Sequence, residues 1–102
     1  MSRLATVSTH VLDIATGTPA AGVRVTLGTR TLETDEQGRI ADLSDGGINP
    51  GSYRLLFEVG AYFGTTPHLF DTIALELRLD EGRHYHVPLL LAPYSCSTYR
   101  GR

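Results

Sequence analysis

Hydrophobic and polar residues alternate with a period of two through most of the chain. In the run 73–79, isoleucine and leucine at every second position are separated by Ala74, Glu76 and Arg78. The same alternation recurs in the segments 7–11, 23–27, 53–59 and 85–91. This period is typical of strands that bury one face, so the chain is predicted to be almost entirely β.

Turn-forming residues separate these strands at short intervals. Clusters of Gly, Pro, Asp, Asn and Ser lie at 16–19, 35–38, 44–47, 49–51 and 80–82. The one candidate helix is the segment 67–73, which is short and weakly patterned. Many short strands with this spacing predict an all-β, antiparallel β-sandwich with at most one short helix.

Composition narrows the class of protein further. A chain of 102 residues predicts a single domain, 1–102, and its 41% hydrophobic content is that of a globular protein. The net charge of -2 argues against nucleic acid as a partner, and the single cysteine, Cys96, excludes an internal disulfide. No segment has the length of a membrane span or the pattern of a secretion signal, which predicts a cytoplasmic location, with a peroxisome as the alternative in a eukaryote.

Three histidines are the first candidates for chemistry. His84 and His86 are two residues apart in a predicted strand, so their imidazoles lie on one face. With His10 as a third ligand they fit a zinc site, but no carboxylate or thiolate accompanies them. The metal-free interpretation is a histidine pair that relays protons near neutral pH, and the simplest one is a surface histidine at a strand start.

Two arginines are candidates for binding an anionic or oxygen-rich group. Arg39 follows Gly38 at the end of a turn, and Arg100 lies in the C-terminal segment. A guanidinium grips flat, oxygen-rich compounds through paired hydrogen bonds and stabilises an oxyanion. Each arginine taken alone is equally compatible with a solvated surface charge, so these residues do not by themselves name a substrate.

Four segments, in order along nearly the whole chain, resemble the 5-hydroxyisourate hydrolases, the enzyme branch of the transthyretin-like proteins. They are Ser8-Thr9-His10-Val11-Leu12-Asp13, Thr34-Asp35-Glu36-Gln37-Gly38-Arg39-Ile40, His84-Tyr85-His86-Val87-Pro88-Leu89-Leu90-Leu91 and Ser97-Thr98-Tyr99-Arg100-Gly101. The last two are the most specific, because the Tyr-Arg-Gly tail distinguishes the hydrolases from the hormone-carrying transthyretins. The resemblance implies a prealbumin-like sandwich of two four-stranded sheets.

The resemblance also implies an activity, which is hydrolysis of 5-hydroxyisourate to 2-oxo-4-hydroxy-4-carboxy-5-ureidoimidazoline in urate catabolism. It assigns catalysis to His10, Arg39 and His86, and places Tyr99 and Arg100 in a tail that helps to form the substrate pocket. It leaves open which histidine is the general base, and it gives His84 a structural or peripheral position, at the rim of the site. It further implies a homotetramer with active sites between subunits, a small-molecule substrate, no metal and no organic cofactor.

The sequence departs from the family pattern at its last residue. The family tail ends in Tyr-Arg-Gly-Ser, whereas here Arg102 follows Gly101 and puts a bulky cation beside the expected pocket. This change keeps two alternatives open: a non-catalytic carrier of a small planar ligand, and a hydrolase of a related cyclic amide. The presence of His10, Arg39 and His86 together favours catalysis, because a passive carrier does not need all three.

Overall fold

The computed structural model describes residues 3–101, so Arg102 and the expectations that rest on it lie outside the described residues. Its elements follow the predicted spacing of strands and turns. They are β1 (Thr6–Asp13), β2 (Thr18–Pro19), β3 (Arg24–Leu27), β4 (Arg30–Glu33), β5 (Arg39–Ile40), β6 (Gly51–Glu58), α1 (Val59–Phe63), β7 (Thr72–Leu79), β8 (His84–His86), β9 (Leu89–Ala92) and β10 (Ser95–Thr98).

The first sheet is organised around β1. Strands β8 and β9 pair with one edge of β1 in a single register, with Ser8 opposite His86 and Val11 opposite Leu89. The other edge of β1 pairs with β5 and β2, and β10 pairs with β9, so the order along the sheet is β10, β9, β1, β2. The predicted strand over 85–91 is thus interrupted at Val87 and Pro88, because proline lacks the N–H that would continue the ladder.

The second sheet has the order β4-β3-β6-β7 and is antiparallel throughout. Its inner face meets that of the first sheet, and the predicted alternation is confirmed: Val25 and Leu55 are buried, whereas Arg24 and Arg54 are exposed. The prediction of a two-sheet β-sandwich is confirmed as well, but only the second sheet has the predicted four strands. The first sheet has six, because β5 and β8 also pair with β1. A second detail differs, since β1 runs parallel to β8 and β9. Only a hairpin forces antiparallel pairing, and here the whole second sheet lies between the paired strands in sequence.

The prediction of a helix over 67–73 is wrong. The helix is α1, which begins at Val59, the residue that the alternation assigns to the end of a strand. Val59 and Phe63, four residues apart, share one helix face and bury it in the core. Ile73 lies instead in β7, where it pairs with Phe57 of β6, so the later apolar residues form a strand. Within residues 3–101, no helix is long and apolar enough to cross a membrane.

Candidate active site

The outer face of the first sheet brings two of the predicted residues side by side. His10 of β1 is the direct cross-strand partner of Arg39 of β5. The His10 ring donates a hydrogen bond from Nε2 to the carbonyl oxygen of Gln37, at 2.8 Å. A carbonyl oxygen has no hydrogen to give, so the ring proton must lie on Nε2, and Nδ1 of the neutral ring is left as an acceptor.

Arg39 is positioned by a tightly bonded turn. The Asp35 carboxylate accepts hydrogen bonds from the backbone N–H groups of Arg39 and Gln37, both at 2.9 Å. These two bonds are the main reason why the pKa of Asp35 is lowered, and electrostatic interactions with the nearby Arg39 and His10 side chains lower it further. Gly38 has a φ of +75° and donates to the Asp35 carbonyl at 2.9 Å. The turn therefore fixes the backbone position from which the Arg39 side chain projects.

His86 completes the group from the other side of β1. Ser8 and His86 are paired residues, and the serine Oγ lies 2.8 Å from His86 Nδ1. Among the residues that the structure describes, no hydrogen bond involves His86 Nε2. The pKa of His86 is lowered, first by burial and then by electrostatic repulsion between its protonated ring and the side chains of His10, Arg39 and His84. The ring is therefore neutral at pH 7 and has one nitrogen free to take a proton.

Ser8 and Thr6, for which the sequence predicted no role, also lie on this face and contact His84. Ser8 Oγ also contacts His84 Nε2 at 3.0 Å, and His84 Nδ1 lies 2.7 Å from Thr6 Oγ1. The alternation in β1 already placed Ser8 on the same face as His10. The parallel register with β8, which brings it between the two histidines, has no signal in the sequence.

The C-terminal segment contacts His86 through its backbone. The Gly101 N–H donates to the His86 carbonyl at 2.6 Å, and a Cβ at Gly101 would lie 2.7 Å from His86 Cδ2. Since real Cβ atoms are essentially never found under 3.0 Å from such an atom, only glycine fits here without a shift. The Tyr-Arg-Gly motif therefore has a steric reason for its glycine.

The other two residues of that motif lie elsewhere in this chain. The Arg100 guanidinium stacks 4.6 Å from the centre of the Tyr85 ring and donates to the His84 carbonyl at 3.1 Å. Tyr85 points to the opposite side of β8 from His86. Arg100 and Tyr99, which is 56% exposed, thus line a groove of about 520 Å³ beside β7. The structure brings His10, Arg39 and His86 together but does not place Tyr99 and Arg100 with them.

Metal binding was the competing interpretation of the histidines. Within residues 3–101, no three His, Cys, Asp or Glu side chains are grouped so that they could hold a metal ion. His84 and His86 are instead bridged by the Ser8 hydroxyl. The arrangement offers an acceptor nitrogen, His10 Nδ1, and a second nitrogen, His86 Nε2, that becomes an acceptor when His86 carries its proton on Nδ1. Both rings share this face with one guanidinium, which suits activation of water beside a developing negative charge.

Known proteins resemble this chain over its whole described length. Residues 7–101 match the model of the HIUase/Transthyretin family. The protein named 5-hydroxyisourate hydrolase 2 of Rhizobium meliloti is 39% identical, with 99% of each chain covered. The solved structure of Klebsiella pneumoniae 5-hydroxyisourate hydrolase superposes with a TM-score of 0.89 at 40% identity, covering 100% of this chain and 97% of that one. Sea bream transthyretin in complex with thyroxine gives a TM-score of 0.86 at 27% identity, with 93% of each chain covered. With a family match that includes the strands bearing both histidines and Arg39, this chain belongs to the HIUase/Transthyretin family.

Proposed function

We propose that this protein hydrolyses 5-hydroxyisourate, opening its ring to give 2-oxo-4-hydroxy-4-carboxy-5-ureidoimidazoline. The observation that carries the proposal is the convergence of His10, Arg39 and His86 on one outer sheet face, each held by its own backbone or side-chain contacts. Relatives named as 5-hydroxyisourate hydrolases at about 40% identity support it.

In the proposed mechanism His86 is the general base. Its neutral ring removes a proton from water through Nε2, and the resulting hydroxide attacks a ring carbonyl carbon of the substrate. The bidentate Arg39 guanidinium binds the flat ring and stabilises the tetrahedral oxyanion. When the oxyanion collapses, the ring C–N bond breaks, and the proton held on Nε2 passes to the departing nitrogen. His10 accepts a hydrogen bond at Nδ1 from the water or from a substrate N–H, and so orients the reactants.

The oligomeric state is also a proposal. Arg39 is exposed in the single chain, and Tyr99 and Arg100 line a different groove from the histidines. A homotetramer that encloses the sites between subunits explains how this open face excludes water, and how tail residues of one subunit approach the substrate of another. A single domain over 1–102 and a cytoplasmic location both stay predictions.

The test is the absorbance decay of 5-hydroxyisourate generated in the cuvette by urate oxidase. The wild-type protein should accelerate decay far beyond the spontaneous rate, and His86→Asn should lose roughly 100-fold or more of that activity, the size of a general-base contribution. His68→Asn is the matched control, because His68 is bonded to Thr66 and Asp71, away from this face. A folded wild-type protein without acceleration would refute the hydrolase proposal, and an active His86→Asn variant would refute the assignment of the base.

The alternative is a non-catalytic carrier of a small planar ligand, and it is favoured by the likeness to transthyretin in complex with thyroxine. The fold alone does not separate the two functions, since both kinds of protein share it. A carrier would bind a ligand in equilibrium dialysis and release it unchanged, whereas the hydrolase yields the ring-opened product. Turnover of a different hydantoin or lactam, but not of 5-hydroxyisourate, would support the related-amide alternative.

A further inference from the structure

Four polar side chains form a continuous hydrogen-bonded row on the outer face, which we call the serine relay. Its members are Thr6, His84, Ser8 and His86, joined by contacts of 2.7, 3.0 and 2.8 Å in that order. Ser8 is buried and lies between the two rings, whereas His84, on the outer side, is exposed to solvent. The row therefore connects the half-buried His86 with the surface.

The chemistry of a hydroxyl group couples the two rings. Ser8 Oγ has one hydrogen but contacts two ring nitrogens, His84 Nε2 and His86 Nδ1. It can donate to only one of them, so the other must carry a proton and donate to the serine oxygen. When both rings are neutral, one tautomer of His86 thus requires a matching tautomer of His84.

Two directions of the row satisfy this condition. In the first, His86 donates from Nδ1 to Ser8, Ser8 donates to His84 Nε2, and His84 donates from Nδ1 to Thr6. His86 Nε2 then has a free lone pair and is a base. In the second, every bond is reversed, and Nε2 of His86 bears the hydrogen instead.

We propose that Ser8 and His84 are positioning residues that hold His86 in its basic tautomer and receive the proton that His86 gains from water. This proposal rests on the proposed function, in which His86 is the base. As water loses a proton to His86 Nε2, the Nδ1 proton of His86 moves to Ser8 Oγ, and the Ser8 hydroxyl proton moves to His84 Nε2. His86 ends neutral with a hydrogen on Nε2, and His84 ends as the imidazolium.

Charge explains why this transfer is favourable. A cation on His86 would be half-buried and would be repelled by the Arg39 guanidinium on β5, and also by the rings of His10 on β1 and His84 on its own strand whenever those are protonated. On His84 the same charge lies on an exposed ring, where water solvates it. The relay therefore removes the charge from the neighbourhood where it is least stable, and returns it when the departing nitrogen needs a proton.

The experiment compares Ser8→Ala with Ser8→Thr, which keeps a hydroxyl group and the strand preference. Long-range ¹⁵N–¹H spectra of the histidine rings report which nitrogen of His86 bears the proton. The wild type should show His86 protonated on Nδ1, Ser8→Ala should lose this preference, and Ser8→Thr should restore it. In the decay assay, Ser8→Ala should lower kcat by roughly 10- to 100-fold, part of the general-base contribution, with KM changed less than about twofold.

His84→Gln separates the role of holding the His86 tautomer from the role of receiving the proton, since an amide can hydrogen-bond to Ser8 but cannot accept the proton. It should keep much of the His86 tautomer preference and still lose kcat. An unchanged His86 tautomer and unchanged kcat in Ser8→Ala would overturn the relay. A wild-type protein that shows the tautomer pattern but no turnover would overturn the proposed function and leave the positioning of His86 supported.

Discussion

The turn before Arg39 offers a quantitative test of how the site is built. Gly38 and Gly22 both have a φ of +75°, so alanine at either position is strained by about 1–2 kcal/mol in the left-handed region. Around Gly22 a new Cβ would meet nothing within 4 Å, and that strain is the whole effect. Gly22→Ala is therefore a matched control for the backbone angle alone.

At Gly38 the added methyl group also has no space. Its Cβ would lie under 3.0 Å from the carbonyl oxygen of Val11 and 3.2 Å from the nitrogen of Ala20, both backbone atoms that cannot rotate away. That carbonyl accepts a bond from Ala20 N–H at 2.9 Å, and Val11 N–H donates to the Gly38 carbonyl at 2.7 Å. Weakening both bonds adds about 1 kcal/mol each, so Gly38→Ala should cost about 3–4 kcal/mol.

The assay is urea unfolding followed by circular dichroism at equal protomer concentration, because assembly would shift the midpoint. Gly38→Ala should be less stable than Gly22→Ala by about 2 kcal/mol. It should also be less active while folded, since the shifted turn moves Arg39. Equal stability of the two variants, within about 0.5 kcal/mol, would refute the argument that this turn is sterically fixed against β1.

Three further predictions concern the site itself. Gly101→Ala should reduce kcat several-fold with little change in unfolding free energy, because its Cβ displaces the His86 ring rather than backbone. The decay assay measures the change in kcat, and chemical denaturation measures the change in stability. A fully active variant would contradict this prediction. Arg39→Lys keeps the charge but loses the paired hydrogen bonds, so kcat/KM should fall by roughly 30-fold, equivalent to about 2 kcal/mol, and an equal kcat/KM would argue against bidentate binding. Because burial and then nearby positive charge lower the pKa of His86, its neutral form persists below pH 6.5. The acid limb of the kcat profile should lie below that pH and move upward in Arg39→Gln, and the stability that His86 contributes should be present above pH 6.5 and be lost as pH falls through its native pKa.

The sequence was sufficient to predict most of the strands, because a half-buried strand alternates hydrophobic and polar residues with a period of two. Ile73 to Leu79 and Val25 to Leu27 alternate in the structure as their residue types predict. The same signal was misleading at Val59, where the apolar residue continues the strand pattern but begins α1. A five-residue helix is too short to leave a period of its own, and burial of Val59 and Phe63 decides its position.

The pairing of strands lay outside what the pattern specifies. Alternation placed Ser8 and His10 on one face of β1, yet the residues that lie next to them on that face depend on the register with β8. Ser8 consequently had no predicted role. In the same way, the order Tyr99, Arg100, Gly101 does not reveal that Arg100 stacks on Tyr85 while Gly101 contacts His86. Such neighbourhoods are properties of the tertiary fold.

The parallel pairing of β1 with β8 has a consequence for the order of folding. Ser8 and His86 are 78 positions apart in sequence, and the entire second sheet is encoded between them. Closing so long a loop is slow compared with forming the hairpins of the second sheet, which join near neighbours. A nascent chain emerging from the ribosome can thus assemble β3, β4, β6 and β7 early. The face that holds the histidines forms only after β8 has emerged, so synthesis of nearly all the described chain precedes any catalytic surface.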